Sequence, residues 1–327
     1  MVAERHHEHV VIPGKRLGMR PRDPRRQLLR LGDYLTGRLP DHPPRVDYFA
    51  RVPTWCLGRN TEFGTCGPTS FANLTLLVST WLAGAPIKPT DDDIIDLYRR
   101  SGNPDFDPAT GAGDNGVDMT VMLAEAVKNG IGVGGGTGTV KPLAFAAVNG
   151  HDPDEVWAAG ALFGGTLWGC DLTQSQAGQQ VWDTVPGDAP WGGHAVLAAG
   201  RYDDQTGTRS DRTGLVSWAD PTFDATDVFI QQQVPERYAV IFDWHLNLRT
   251  FIKGVNMTTL AADYTQLTGR PFPSSGPTPV PTPPTPGMEP ADQELMKALN
   301  PWAKAWPSTT KPKQAYRTWK GQKGYNP

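Results

Sequence analysis

The sequence predicts an α+β fold in which a helix carries a cysteine and two apolar strands carry a histidine and an aspartate. Cys66 stands directly before Gly-Pro, at the start of an apolar run long enough for a helix. His194 opens a short apolar run between glycines, 192–200, and another apolar run, 215–221, closes on Asp220 followed by proline. Short apolar runs bounded by glycine or proline are typical of buried strands.

Cys66 is the candidate nucleophile. Gly67 permits a close approach of the backbone, and Pro68 suits the first turn of a helix, so the cysteine is expected at a helix N-terminus. The unpaired N–H groups and the positive end of the helix dipole favour thiolate over thiol there, and the thiolate is the nucleophile. This stretch alone leaves open the alternative of a small buried cysteine under a helix start.

The two later runs add a base and an orienting group. If these strands are neighbours, Asp220 can accept a hydrogen bond from one ring nitrogen of His194, and the other nitrogen then faces Cys66. Nucleophile, base and orienting group together follow the logic of a catalytic triad. Such partners meet in the fold and not along the chain. A further histidine, His245, is predicted to be structural, although the sequence leaves a place in the site open for it.

Four helices are predicted around these motifs. The second follows Thr90 as a cap and has three aspartates in its first turn, and the fourth begins with Asp152 as a cap and Pro153 at its first position. Methionines at helical spacing in the third helix are predicted to lie in the core. The predicted helices run from Cys66 to Ala83 or Ala85 and over residues 91–100, 116–128 and 152–162.

Several further segments are predicted as strands or loops. Residues 164–172 form a strand before the histidine strand, and the polar residues 174–190 form a loop that frames a substrate cleft. Residues 228–234 and 238–243 supply further β or mixed structure. The glycine-rich run 130–138 lacks the Lys-Ser/Thr that ends a phosphate-binding loop, so it predicts a turn before a strand.

The order Cys66, His194, Asp220 resembles the papain-like cysteine peptidase superfamily. Three motifs match this superfamily over roughly residues 47–272. They are Cys-Gly-Pro opening a helix, Gly-Gly-His-Ala-Val on a strand, and a Ser-Trp strand that carries the third member of the triad. The Asp-Pro ending is closer to the bacteriocin-processing branch, which has Asp-Pro where plant enzymes have Asn. The resemblance implies a papain-like fold and a thiol hydrolase.

The resemblance also implies a role for each site residue. Cys66 attacks a carbonyl, and His194 takes its proton and returns it to the leaving amine. Asn60, six positions before Cys66, stands where the family has Gln, whose amide donates to the oxyanion together with the cysteine N–H. Trp218 stands where the family shields the His–Asp pair from water. No metal or organic cofactor is implied, and acyl transfer by the same triad stays open.

Composition narrows the class of protein. The chain has 327 residues, of which 38% are hydrophobic, enough for one large domain or two small ones. Its net charge of −3 indicates no nucleic-acid partner for the bulk of the chain. Cys56, Cys66 and Cys170 lack the spacing of a metal site and do not form a disulfide framework. No segment has the apolar length of a signal peptide or a membrane span, which predicts a virion-associated or cytoplasmic protein.

The chain divides into four predicted regions. They are a basic N-terminal arm, 1–46, a papain-like domain, 47–272, a proline-rich linker, 273–290, and an aromatic and basic tail, 291–327. Interleaved aromatic and lysine residues without a core imply docking, and a protein partner is favoured over a glycan wall or single-stranded nucleic acid. The arm is predicted to dock as well, with a solvated extension as the alternative.

These regions predict a second class of function. A papain-like domain between a basic arm and a tethered aromatic tail suits a component of a larger assembly, such as a bacteriophage virion or tail. The composition, rich in Trp, Gly and Pro, is similar to that of proteins of actinobacterial phages. The domain would then cleave a peptide or a peptidoglycan stem, or it would serve mainly assembly or attachment.

Overall fold

A computed structural model describes residues 14–37, 45–202 and 211–272, which form an α+β fold with a helical lobe and a β lobe. The predicted linker and tail, and the first 13 residues of the predicted arm, lie outside the described residues. The helices are α1 (Cys66–Val78), α2 (Asp91–Arg100), α3 (Met119–Asn129), α4 (Pro153–Phe163), α5 (Asp227–Gln233), α6 (Arg249–Gly254) and α7 (Met257–Thr268). The strands are β1 (Met19–Arg20), β2 (Arg45–Asp47), β3 (Val117–Asp118), β4 (Ile131–Val133), β5 (Gly138–Val140), β6 (Ala144–Ala147), β7 (Thr166–Thr173), β8 (Val181–Trp182), β9 (Pro190–Tyr202), β10 (Arg212–Ser217), β11 (Asp220–Thr226) and β12 (Glu236–Ile241).

Local signals in the sequence account for the helix boundaries. Every residue of α1 is buried, including its polar residues Thr69, Ser70, Asn73 and Thr75, and one π-helical turn extends the helix to Ala83. Thr90 and Asp93 form a reciprocal capping box at the start of α2. The Asp152 side chain accepts the N–H groups of the first turn of α4. The four predicted helices are confirmed, within a few residues at their ends.

The large sheet is built around β9. Its strands run in the order β6-β12-β7-β9-β10-β11-β8, and β1 and β2 also pair with β9. In the antiparallel register of β7 and β9, His194 lies opposite Cys170. Helix α1 packs on β9, so the start of the cysteine helix meets the histidine strand. The predicted histidine strand is confirmed.

The strand that follows differs from the prediction at its end. Strand β10 stops at Ser217, and Trp218 and Ala219 form a tight turn with positive φ values of 48° and 63°. Asp220 therefore begins β11, directly across the turn from Ser217. The predicted strand through Asp220 and Pro221 is in fact the corner of a β-hairpin.

Two other segments take a more specific form than the sequence-based prediction gave them. Residues 227–233 form helix α5, which Thr226 caps by accepting the Phe229 N–H group. The glycine-rich run is a hairpin, because β4 and β5 pair across it. No helix within the described residues combines the length and the apolar character that crossing a membrane requires.

Residues 14–37, which the sequence assigns to an extended arm, pack on the domain. Leu31 and Tyr34 are buried in one hydrophobic cluster, and Met19 is 6% exposed. This segment contains a single 3-10 turn, Leu31–Asp33. It packs on the domain because apolar side chains recur among the basic ones, and their burial stabilises an extended course across the domain.

Candidate active site

Cys66 is the first residue of α1 and is only 1% exposed. The preceding Thr65 donates its hydroxyl to the Gly58 carbonyl and does not cap the helix, so no side-chain cap takes up the free N–H groups at this helix start. The backbone N–H groups of Ala195, Gly18 and Gly67 lie against the sulfur. The predicted position of the cysteine at a helix N-terminus is confirmed.

The charge state of Cys66 differs from the prediction. Burial raises the pKa of the thiol to about 11, and the three backbone N–H groups lower it only in part. Burial also raises the pKa of Cys56 to about 12 and that of Cys170 further. In the described conformation Cys66 is therefore a neutral thiol, because the desolvation of a thiolate outweighs the helix N-terminus.

His194 is fully buried among aromatic rings. Its Nε2 atom lies 2.8 Å from the Ser217 hydroxyl, and its Nδ1 atom has no hydrogen-bond partner. The Trp218 ring stacks on the imidazole at a centroid distance of 4.5 Å, and Trp182 approaches edge-on at 6.2 Å. Burial and, to a smaller extent, the Lys15 cation lower the pKa of His194 to about 3. The imidazole is therefore neutral.

The structure brings the main chain next to His194 into contact with Cys66. Ala195, the residue after His194, directs its N–H group at the Cys66 sulfur. No hydrogen bond joins the thiol and the ring in the described conformation, since Nδ1 has no partner and Nε2 is taken by Ser217. The two candidate groups thus share one buried location while remaining uncharged.

Asp220 does not orient the histidine in this structure. Its carboxylate accepts the N–H group of Thr222 at 2.8 Å and the hydroxyl of Thr222 at 2.6 Å, and it attracts the Lys15 ammonium. Ser217 makes the hydrogen bond that the sequence assigned to Asp220. The two-residue turn between them is the reason, because it ends the strand beside His194 at Ser217 and places Asp220 on the next strand.

Asn60 is 1% exposed, and its side-chain amide already donates two hydrogen bonds within the protein. The Nδ2 atom donates to the Phe63 carbonyl at 3.0 Å and to the Arg16 carbonyl at 3.2 Å. The second acceptor belongs to the N-terminal segment that crosses the site. Asn60 is thus placed to donate to a peptide carbonyl, although the one bound here comes from the chain itself.

An N-terminal strap, residues 15–20, covers the site. Its strand β1 pairs parallel to β3 at Val117 and antiparallel to β9 at Gly193. The Gly18 N–H group donates to the Gly193 carbonyl at 3.2 Å, and the Gly18 carbonyl accepts the Val117 N–H group at 2.7 Å. The strap therefore bridges the two lobes over Cys66, as a bound peptide would.

The side chains of the strap also hold it in place. Lys15 donates to the Ala177 carbonyl at 2.6 Å and lies 5.2 Å from the centre of the Trp218 ring. Arg16 lies 3.7 Å from the carboxylate of Asp114, and its carbonyl accepts the indole N–H of Trp218 at 3.3 Å. Four residues singled out from the sequence therefore touch or face the strap: Asn60, Cys66, Trp218 and Asp220.

A cavity of about 260 Å³ borders the strap between the two lobes. It is lined by the strap itself, by residues 114–116 of the helical lobe, and by Trp191 and Gly193 of the β lobe. The space between the lobes is therefore a groove that the strap fills only in part. Within the described residues, no group of three or more histidine, cysteine or acidic side chains is arranged to hold a metal ion.

Two features of this site were not predicted from the sequence. Ser217 forms part of the Ser-Trp pair that was noted, but its contact with the histidine depends on where the turn falls. The strap had only a weak signal, the apolar Leu17 and Met19 within a basic stretch. Pairing of that stretch with Val117 and Gly193 is a long-range contact that no local pattern predicts.

Comparison with known proteins supports the fold. No protein-family model and no curated protein matches this chain. Among solved structures, it is similar to xylellain, a cysteine protease from Xylella fastidiosa, with 15% identity over 70% of this chain and 97% of that chain and a TM-score of 0.53. Digestive procathepsin L 3 of Tenebrio molitor larval midgut matches with 12% identity over 70% and 76% of the two chains and a TM-score of 0.47. The predicted papain-like fold is confirmed.

Proposed function

We propose that this protein is a cysteine peptidase or a related amide hydrolase, with Cys66 as nucleophile and His194 as base. One observation carries the proposal. The Nδ1 atom of His194 is buried without a partner while Nε2 is held by Ser217, and the next backbone N–H contacts the Cys66 sulfur. A buried polar atom without a partner is costly and needs an explanation, which a proton-accepting role for Nδ1 supplies.

The chemistry follows from the tautomer that this arrangement favours. With its proton on Nε2, neutral His194 donates to the Ser217 hydroxyl and leaves Nδ1 free to accept a proton. Cys66 gives its thiol proton to Nδ1, and the sulfur attacks the substrate carbonyl. As the C–N bond breaks, the imidazolium returns the proton to the leaving amine. Water, deprotonated by the same nitrogen, then hydrolyses the thioester and restores the thiol.

The negative oxygen formed during attack needs hydrogen-bond donors. The Cys66 backbone N–H at the helix start and the Asn60 amide are the proposed donors. The present bond from Asn60 to the Arg16 carbonyl at 3.2 Å supports this role, because it shows an amide directed at a peptide oxygen in the groove. In this proposal Ser217 positions the histidine, and Asp220 acts on the site through Lys15 and the strap.

Access to the nucleophile requires the strap to leave. Cys66 and His194 are 1% and 0% exposed while the strap is in place, so neither a substrate carbonyl nor water reaches them. Removal of the strap uncovers Cys66, which weakens the desolvation of its thiolate, and it takes away the Lys15 cation that disfavours protonation of His194. The pKa of Cys66 is then expected to fall and that of His194 to rise, which favours the thiolate–imidazolium pair.

Labelling with an electrophilic thiol probe tests the proposal. The probe is applied to the full chain carrying Gly18→Ala, in which the added Cβ atom overlaps the Gly64 main chain and displaces the strap, and to the same chain with Cys66→Ala or His194→Gln. The modified cysteine is mapped by mass spectrometry. We expect Cys66 to be labelled faster than Cys56 and Cys170, and His194→Gln to slow that labelling at neutral pH. Equal rates for the three cysteines, or an unchanged rate in His194→Gln, would overturn the assignment.

We also propose a role in a larger assembly, which rests on the sequence of the terminal regions alone. The proline-rich linker, 273–290, connects the domain to the aromatic and basic tail, 291–327, and the tail docks on a protein partner. A bacteriophage virion or tail is the assembly that this organisation suits best, with a peptide or peptidoglycan stem as substrate. Co-sedimentation of the full chain, but not of a chain lacking residues 273–327, with the native particle tests this role.

A further inference from the structure

Gly18 lies in a position that has no room for a side chain. A Cβ atom built on Gly18 would overlap the carbonyl oxygen, Cα and carbonyl carbon of Gly64. A Cβ atom on Gly116 would overlap the Gly18 carbonyl, and one on Gly193 would overlap the Met19 carbonyl. The strap therefore passes between three glycines, which we call the glycine groove: Gly64, Gly116 and Gly193. Its walls are main chain, which does not move aside as the end of a flexible side chain does.

The walls of the glycine groove are held by hydrogen bonds. The Gly64 N–H group donates to both carboxylate oxygens of Asp114, at 3.0 and 3.1 Å. The Gly116 N–H group donates to the Tyr98 hydroxyl at 2.7 Å. Gly193 lies within β9, paired with β7. Widening the groove would break hydrogen bonds on both lobes. The exclusion of side chains is therefore a property of the site and applies to any bound peptide, not only to the strap.

This limit on side-chain size applies at the position beside the Cys66 sulfur. The Gly18 N–H group is one of the three that lie against the Cys66 sulfur, so Gly18 is the strap residue over the nucleophile. Its φ value is not positive, so glycine is needed there for space and not for backbone conformation. Any peptide that follows the course of the strap meets the same walls at this position.

The neighbouring positions accept larger side chains. Leu17 packs against the aromatic cluster of the β lobe, and Met19 is 6% exposed beside Gly169. Arg16 lies beside the carboxylate of Asp114. The groove thus offers apolar contacts on either side of the glycine position and a negative charge two positions before it.

We propose that the groove selects peptides with glycine over the Cys66 sulfur, an apolar residue on each side and a basic residue two positions before the glycine. This deepens the proposed function and rests on it, since it names the peptides that the peptidase accepts. The strap of sequence Lys-Arg-Leu-Gly-Met-Arg is then an intramolecular occupant of the substrate site.

Peptide protection of Cys66 tests the proposal without requiring turnover. In the full chain carrying Gly18→Ala, the added Cβ displaces the strap and opens the groove. Two synthetic peptides are compared, one with the sequence of residues 14–20, GKRLGMR, and one with alanine in place of its glycine, GKRLAMR. Each is titrated against alkylation of Cys66 by iodoacetamide, with Cys56 and Cys170 as internal references.

The glycine peptide is expected to protect Cys66 at a concentration at least about tenfold lower than the alanine peptide, because an added methyl group against rigid main chain is costly. Equal protection by both peptides, stronger protection by the alanine peptide, or none by either would overturn the inference. If Gly18→Ala does not fold, the double variant Lys15→Ala/Arg16→Ala, which removes the strap anchors instead, replaces it.

The two proposals fail in different ways. If the glycine peptide protects Cys66 selectively but no quenched fluorescent peptide that contains Arg-Leu-Gly-Met is hydrolysed, the groove is glycine-selective and the peptidase proposal fails. If peptides are hydrolysed equally well with glycine or alanine at this position, the peptidase proposal holds and the glycine selection is wrong.

Discussion

The Nε2 atom of His194 lies 2.8 Å from the hydroxyl of Ser217, and Nδ1 of the same ring has no partner. This one contact determines which nitrogen can act as a base. It also replaces a carboxylate with a hydroxyl as the orienting group, which removes the negative charge that would otherwise stabilise an imidazolium. The site is therefore expected to need a displaced strap and solvent access before the proton moves from Cys66 to the ring.

The contact with Ser217 predicts unequal effects of two substitutions. In the Gly18→Ala background, Ser217→Ala should slow Cys66 alkylation at pH 7 about fivefold, because a net hydrogen bond worth about 1 kcal/mol no longer orients the ring. Asp220→Ala should change that rate less than about twofold, since its carboxylate bonds to Thr222. Second-order rate constants with iodoacetamide measure both. A larger effect of Asp220→Ala would restore the aspartate as the orienting residue.

Gly18→Ala is expected to uncover the site. Overlap of the new Cβ atom with the Gly64 main chain should expel the strap, and the alkylation rate of Cys66 should rise at least about tenfold. The rate of Cys56 should not change, because its backbone and sulfur bond to Asn73 and Pro89, away from the strap. Mass spectrometry of the alkylated chain after timed quenching gives all three rates in one experiment.

Gly37→Ala is the matched control for that variant. A Cβ atom at Gly37 meets nothing within 4 Å, so this substitution should leave the Cys66 rate as in the unchanged chain. If Gly18→Ala also leaves the rate unchanged while the chain stays folded, the strap does not limit access to the nucleophile.

Asn60 is expected to affect turnover and not alkylation. In the Gly18→Ala background, Asn60→Ala should lower kcat for an amide substrate by about 10²–10³-fold, because an oxyanion donor is lost. Alkylation by iodoacetamide forms no oxyanion, so its rate should stay nearly constant. Asn60→Gln, which restores the longer amide of the resembled family, should recover part of kcat. Parallel losses in both assays would instead indicate a structural role for Asn60.

The buried histidines predict loss of stability in acid. Burial lowers the pKa of His194 to about 3 and that of His245 to about 4 from an ordinary value of 6.5. The unfolded chain therefore binds protons at both positions below about pH 6.5, where the folded chain does not. The free energy of unfolding should fall as the pH drops from 6.5 towards 4. Buried acidic groups with a raised pKa, Glu155, Asp171 and Glu236, act in the opposite direction.

His245→Gln isolates the contribution of one histidine. His245 accepts the Phe242 N–H group at 2.9 Å and lies 3.2 Å from the Phe163 carbonyl, away from the candidate site. The variant should lose stability overall, but its free energy of unfolding should fall less steeply with acid, by up to about 1.4 kcal/mol per pH unit. Urea denaturation between pH 4 and 7 measures the difference. Parallel curves for the two proteins would contradict the assignment.

The linker and the tail are predicted to act apart from the site, unlike the strap, which belongs to the predicted N-terminal arm. Removal of residues 273–327 should leave the alkylation rate of Cys66 within about twofold of that of the full chain, because the residues that build the site lie in the strap, α1, β9 and β10. The same deletion should abolish binding to the native particle or partner. Loss of labelling with retained co-sedimentation would show that the tail belongs to the catalytic domain.

The sequence by itself determined the parts that depend on neighbouring residues. Cys66 at a helix start follows from the Gly-Pro after it, and the caps at Thr90 and Asp152 mark helices because their side chains bond within one turn. The strand of His194 follows from a continuous apolar run between glycines. These signals are local, and with the order of the motifs they were sufficient to predict an α+β, papain-like fold.

Only the tertiary structure decided which groups meet at the cysteine and in what charge state. The choice of Ser217 over Asp220 depends on a turn through Trp218 and Ala219, which has no glycine to mark its positive φ values. The strap depends on main-chain pairing across some 100–170 residues of sequence, to Val117 and Gly193. The neutral thiol and imidazole follow from burial, that of Cys66 beneath the strap and that of His194 among aromatic rings. The desolvation of a group depends on all the atoms around it in the fold, so no local sequence pattern predicts it.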